Sequence, residues 1–277
     1  VGGRKSGAEA STESQLLQEN RMEKRDRIIK IFGLQRTGTN YVEWLIRNNF
    51  KNIFVFTNQL GWKHGLPPNA LRRLMDSNLA ALDENDRAEL FKHKWFSSSD
   101  RVEPIRAMLA ERRINFVFMI KDPYSWYLSF ARYSGFRPFP IRIQAIQKWN
   151  QFYQSAIAFQ AAHSDCSIMI KYEDLLGNMP ATMDRVRLQF GFPPVATYLD
   201  ISRTLRPGFV VSQNEFNRGY YLEEKFLERY KPDDKLELGK QILPELAAQF
   251  GYRILLPTVD TLSDKPDSRV PEDLPVI

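Results

Sequence analysis

Ile28-Ile29-Lys30-Ile31-Phe32-Gly33-Leu34-Gln35-Arg36-Thr37-Gly38-Thr39-Asn40-Tyr41 decides the fold. Its first five residues, mostly β-branched or aromatic, read as a strand. Residues 33–40 read as a loop, after which Tyr41, Val42, Leu45 and Ile46 recur at helical spacing through Asn49. A loop between a strand and a helix offers free backbone N–H groups and the positive end of the helix dipole, which suits an anion. Gly33 and Gly38 keep the spacing of the first part of the nucleotide-hydrolase loop Gly-x4-Gly-Lys-[Ser/Thr]. Thr39, however, stands where that lysine belongs, and Asn40 follows. A kinase or ATPase of that type needs the lysine on its β/γ-phosphates and a hydroxyl on magnesium. Here the cation lies inside the loop as Arg36, with hydroxyls at Thr37 and Thr39. The loop fits a phosphate or sulfate handled without a required metal; an ordinary capped turn is the plainer alternative.

Further out, Asn52-Ile53-Phe54-Val55-Phe56 reads as a second strand, and residues 103–113 as an amphipathic helix. The stretch from Ile114 to Ile120 is nearly all apolar, as a parallel strand buried on both faces would be. Asp122-Pro123 then supplies an N-cap and a proline at the first helical position. Ile141, Ala145, Trp149, Phe152, Ala156 and Phe159 mark a long helix. Residues 167–172 read as a fourth strand, and residues 232–250 as a last helix ending at Gly251. Strands alternating with helices predict an α/β fold: a single P-loop-like domain with a mainly parallel central sheet flanked by helices.

Length and charge narrow the function. The 277 residues are 43% hydrophobic and 13% aromatic, which excludes a disordered or fibrous chain. No apolar run approaches the about 18 residues of a membrane span. One cysteine, Cys166, excludes an internal disulfide framework and favours a reducing, cytoplasmic setting. The chain begins at Val1, which leaves room for a removed leader. Residues 1–26 carry five positive and five negative groups and read as a flexible tail. Residues 257–277, with four prolines and a net charge of −3, read as an extended acidic tail. The net charge of +6 therefore becomes +9 over residues 27–256. That surplus points to an anion site in the folded body.

Gln35-Arg36-Thr37-Gly38-Thr39-Asn40-Tyr41 resembles the 5′-phosphosulfate loop of sulfotransferases that use 3′-phosphoadenosine-5′-phosphosulfate (PAPS), in the bacterial version Gln-Arg-Ser-Gly-Thr. The resemblance implies that Arg36 contacts the transferring sulfuryl group and its bridging oxygen. It places Gly38, Thr39 and Asn40, with Thr37, around the 5′-phosphate, and Tyr41 where the family has a Trp near the adenine. The family's second signature is an Arg at a central strand end followed eight residues later by a Ser, both on the 3′-phosphate. Lys121 and Ser129 stand in that relation here, with Lys for Arg and the loss of a bidentate fork. Lys171-Tyr172-Glu173-Asp174-Leu175 resembles the family's Arg-Tyr-Glu-Asp-Leu segment, which makes Tyr172 a candidate beside the adenine; a core tyrosine at a strand end is the alternative. Asp174 or Glu173 is expected to cap the following helix.

Transfer to a hydroxyl needs a proton acceptor and cations around the in-line transition state. Lys63-His64 resembles the family's Lys-Thr-His, one residue shorter, so His64 is the first candidate base and Lys63 a stabiliser of the leaving oxygen. His93 and Glu43 are rivals, and His163 is expected in solvent. A late-loop arginine for the 3′-phosphate is sought among Arg203, Arg206 and Arg218. Phe216, Tyr220 and Tyr221 are candidate walls of an acceptor pocket or core aromatics, and Cys166 reads as a buried structural thiol. The function this implies is sulfuryl transfer from PAPS, with no metal, to a hydroxyl or amine on a small-molecule, carbohydrate or lipid acceptor. The alternatives are an atypical P-loop kinase or a catalytically inactive nucleotide-binding relative. A nucleic-acid-binding module is disfavoured, because the basic residues follow no known motif.

Overall fold

The computed structural model of the chain describes residues 27–56, 59–76, 84–90, 111, 114–200, 204–206, 209–210 and 218–256. Both tails and the helix expected over 103–113, apart from residue 111, lie outside these. Four apolar runs become strands: β1 (Arg27–Phe32), β2 (Ile53–Phe56), β3 (Ile114–Ile120) and β4 (Ser167–Lys171). They form one all-parallel sheet in the order β2-β1-β3-β4, flanked by helices. Asn52 adopts a left-handed turn conformation (φ 57°), so the second strand begins one residue later than its apolar pattern suggests.

The two faces of the sheet are sorted by alternation along the strands. Ile29 and Ile31 of β1, with Val117 and Met119 of β3, face α1 (Thr39–Asn49). There they pack with Tyr41, Val42, Leu45 and Ile46, the residues whose spacing predicted the helix. After β2 come α2 (Asn69–Asp76) and α3 (Glu84–Leu90). Ile28 and Phe32, with Phe116 and Phe118, belong to the other core, against α4 (Pro123–Tyr133) and α5 (Ile143–Ala162). Phe32 and Phe118 are register partners whose rings stack 5.6 Å apart, and Phe159 of α5 closes on Phe118 at 5.4 Å. Truncating such a fully buried ring to alanine costs about 3–5 kcal/mol. Asp122 caps α4 as expected, its side chain accepting the Ser125 N–H at 2.8 Å.

Because β1 lies between β2 and β3, the chain leaves β1 towards one face and β3 towards the other. Loops that part in this way open a crevice at the carboxyl ends of the two strands, where ligands of open α/β sheets bind. After β4 come α6 (Tyr172–Gly177), α7 (Met179–Phe190), a short antiparallel pair and α8 (Arg218–Leu222).

Three expectations are corrected. The last helix is two, Pro232–Gln241 and Pro244–Phe250, because Pro244 lacks the N–H a continuous helix requires and its ring crowds the preceding turn. Neither Glu173 nor Asp174 caps α6, whose N-cap is Lys171 with no side-chain bond. His163 is buried at the end of α5, its ring 4.7 Å from Phe159. Cys166 is buried, its thiol directed to the His163 carbonyl oxygen.

Candidate active site

The loop after β1 is built by close approaches that exclude side chains. A Cβ on Gly33 would lie 2.6 Å from Thr37 Oγ1 and 2.8 Å from Met119 Cβ. Thr37, fully buried, donates its hydroxyl to the Leu34 carbonyl at 2.7 Å, and Trp126 of α4 donates its indole N–H to the Gln35 carbonyl at 2.9 Å. Arg36 and Gly38 both take positive φ, 74° and 90°, and the guanidinium of exposed Arg36 lies 5.8 Å from the Tyr133 ring. Helix α1 starts at Thr39 without a side-chain cap, which leaves its positive end to an incoming anion.

Gly38 also carries a packing constraint. A Cβ there would sit 2.5 Å from Tyr172 Cδ2. Gly38→Ala is therefore expected to destabilise the protein by about 1–3 kcal/mol through the left-handed backbone alone, and further through the clash. Thermal denaturation checks this, and a melting temperature equal to that of the parent would contradict it.

A second loop, residues 59–66, docks onto the first. The Gly33 N–H donates to the Lys63 carbonyl at 2.9 Å, and His64 Nδ1 lies 2.8 Å from the Gly33 carbonyl oxygen. A carbonyl can only accept, so Nδ1 carries the hydrogen and Nε2 keeps its lone pair. Burial, followed by the charges of Lys63 and Lys30, holds the imidazole below its ordinary 6.5, against the opposing pull of the Gly33 hydrogen bond. The shift favours the neutral imidazole of His64, whose Nε2 can accept a proton. Lys63 Nζ donates to Asn40 Oδ1 at 2.6 Å and lies 3.7 Å from Glu43. Glu43 is engaged by Arg47 as well, at 3.0 Å.

The neighbouring strand, β3, leads directly into Lys121, which is buried. Its Nζ lies 3.2 Å from Ser129 Oγ and 3.4 Å from the Arg36 carbonyl oxygen, so the strand-end cation and the helix serine do meet, beside the loop after β1. The ammonium lies 4.8 Å and 4.4 Å from the ring centres of Tyr172 and Tyr221. Burial pushes Lys121 down to about 8, with Glu173 and Asp122 opposing the shift and Arg36 adding to it. Glu173 accepts the Asp122 N–H at 3.0 Å and the Tyr252 hydroxyl at 2.9 Å. Asp122 is raised to about 7 by burial and then by the Glu173 charge.

The remaining candidates are less central. Tyr41 is buried in the α1 core, and its hydroxyl donates to Asp200 at 2.7 Å. Arg218 pairs with the same Asp200 on the protein surface. His93, Arg203 and Phe216 lie outside the described residues, and of Arg206 only the backbone is described. Tyr220 and Tyr221 pack edge to face at 5.1 Å. Two residues at the site escaped the sequence reading. Glu173 was taken for a cap, and Lys30 was passed over although a lysine inside an apolar strand was its signal.

Among the described residues, no cluster of three or more His, Cys, Asp or Glu could hold a metal, and no helix is long and apolar enough to cross a membrane. The class so defined is an α/β protein with a strand–loop–helix junction at the switch point of a parallel sheet. No protein-family model and no curated protein matches the chain. Two sulfotransferase domains are among the solved structures similar to it. One is a sulfotransferase domain from the Synechococcus PCC 7002 olefin synthase, with 15% identity and a TM-score of 0.40, covering 83% of this chain and 96% of that one. The other is a sulfotransferase domain from the curacin biosynthetic pathway, with 17% identity and a TM-score of 0.41, covering 84% and 99%.

Proposed function

We propose that the chain is a sulfotransferase that moves the sulfuryl group of PAPS to a hydroxyl or amine acceptor, with His64 as the base. The observation that carries the reading is the Lys121–Ser129 pair, 3.2 Å apart and tied to the Arg36 carbonyl. It sets a second anion position against the first, as a donor phosphorylated on both its 5′ and 3′ oxygens requires. Lys121 Nζ is enclosed by Tyr172 and Tyr221, so in this reading the Tyr221 ring moves aside when the 3′-phosphate enters.

In the reaction so read, the acceptor oxygen attacks sulfur while its proton passes to His64 Nε2. The bond from sulfur to the 5′-phosphate oxygen breaks, and 3′-phosphoadenosine-5′-phosphate leaves. In this reading Arg36 and Lys63 would meet the charge that grows on the sulfuryl and leaving oxygens. The groups of Thr39, Asn40 and the α1 N-terminus would receive the 5′-phosphate, with Thr37 holding the loop closed behind them. Tyr172, packed against Gly38, would border the adenine, and Tyr41 would support it from α1.

An atypical P-loop kinase is the second reading, and the absence of a lysine after Gly38 weighs against it. Calorimetric titration separates the two. The 3′-phosphorylated nucleotide is expected to bind at least tenfold more tightly than ADP without magnesium. Equal binding of the two would overturn the sulfotransferase reading.

A further inference from the structure

Strand β1 holds a lysine where its alternation calls for a core residue. Ile28, Lys30 and Phe32 share one face of the strand, and Lys30 is 0% exposed, between register partners Phe56 and Phe116. A buried ammonium is costly unless hydrogen-bonded. Lys30 Nζ donates to the Gly61 carbonyl at 2.6 Å and lies 4.8 Å from the Phe32 ring centre. Gly61 is a turn residue (φ 97°) and follows Leu60, also at positive φ (58°).

Three hydrogen bonds therefore join the end of β1 to the second loop. Lys30 holds the Gly61 carbonyl, the Gly33 N–H holds the Lys63 carbonyl, and the Gly33 carbonyl receives His64 Nδ1–H. The first enters the loop just ahead of the histidine, from beneath. The Gly61 N–H donates in turn to the Leu90 carbonyl at 3.3 Å, and Lys30 ties the same residue to β1.

We propose that Lys30 is a positioning residue for His64, its ammonium fastening the turn at Gly61 so that the imidazole meets the Gly33 carbonyl and keeps Nε2 free. The proposal rests on the reading of His64 as the base. Lys30 also sits in a charged cluster with Lys63 and Glu43. Burial and the Lys63 charge push it down to about 7 while Glu43 opposes them, and its charge in turn helps to keep His64 neutral. Lysine 30 would act through the histidine and touch no substrate.

Imidazole nitrogen NMR tests this on the full chain, which has three histidines to assign. In Lys30→Met the Nδ1–H tautomer of His64 is expected to be lost or averaged, and its titration midpoint to rise. Turnover is expected to fall about 10- to 100-fold, the scale of a displaced catalytic group, with the donor KM unchanged. Lys30→Gln keeps an N–H but no charge, and is expected to retain the tautomer in part while showing the same rise in midpoint. It serves as the test if Lys30→Met does not fold. A folded variant that keeps the parental tautomer and midpoint would overturn the proposal. The NMR outcome decides it whether or not the wild type transfers sulfate, so failure of the sulfotransferase reading is told apart from failure of the Lys30 assignment.

Discussion

His64→Asn is expected to lower kcat by about 10²–10⁴-fold, the usual contribution of a general base, while donor affinity stays within about twofold. Asparagine is the informative replacement because its side-chain N–H can occupy the place of Nδ1–H and keep the bond to the Gly33 carbonyl. What it lacks is Nε2. A loss of turnover in His64→Asn is then a loss of the proton acceptor and not of the loop. Alanine removes both and should weaken the loop as well. The pH dependence follows from the same geometry. Burial and neighbouring cations depress the histidine below 6.5, and the base works only when neutral. Activity should therefore rise with pH through a midpoint under 6.5 and stay flat near neutrality on that account. A His64→Asn variant of undiminished turnover would move the role to His93 or Glu43.

The second large effect concerns the donor. Lys121→Met conserves length and apolar stem but removes the charge, and is expected to weaken binding of 3′-phosphoadenosine-5′-phosphate by about 10- to 200-fold, the range for hydrogen bonds to charged groups. Binding of ADP should be almost unchanged, since ADP carries no 3′-phosphate for the Lys121–Ser129 pair to meet. The affinity of the unaltered protein should also depend on pH. Burial lowers free Lys121 to about 8, and a bound phosphate favours its protonated form. Above pH 8 binding must take up a proton, so affinity should fall by up to tenfold per unit until the bound-state midpoint is reached. Calorimetry in buffers of different ionisation heat reads that uptake directly. Equal loss of ADP and of the 3′-phosphorylated nucleotide in Lys121→Met would remove the 3′-phosphate from this position.

Local pattern explains most of what could be read in advance. The apolar stretch of β3 has every residue buried, the N-cap at Asp122 forms its bond to Ser125, and the helix after Gly38 buries the residues its spacing selected. The exceptions are local too. Pro244 divides a helix whose apolar spacing runs on across it, and His163 is carried into the core by the aromatic face of α5. The candidate site was legible in part. Arg36 was singled out by the strand–loop–helix pattern and Lys121 and Ser129 by their resemblance to a family signature, and the structure brings Lys121 to Ser129 and to the Arg36 carbonyl.

Taken alone, the sequence determined the strand–loop–helix unit and the parallel α/β class. These depend on residues within one or two turns of each other, where backbone conformation follows from side-chain shape and periodicity. Only the tertiary structure decided the tautomer of His64, the burial of Lys30 under Gly61 and the placement of Glu173 on the Asp122 N–H. Each of these joins residues from 31 to 51 positions apart. Such bonds arise where the sheet order sets β1 between β2 and β3, and no spacing within one segment encodes them.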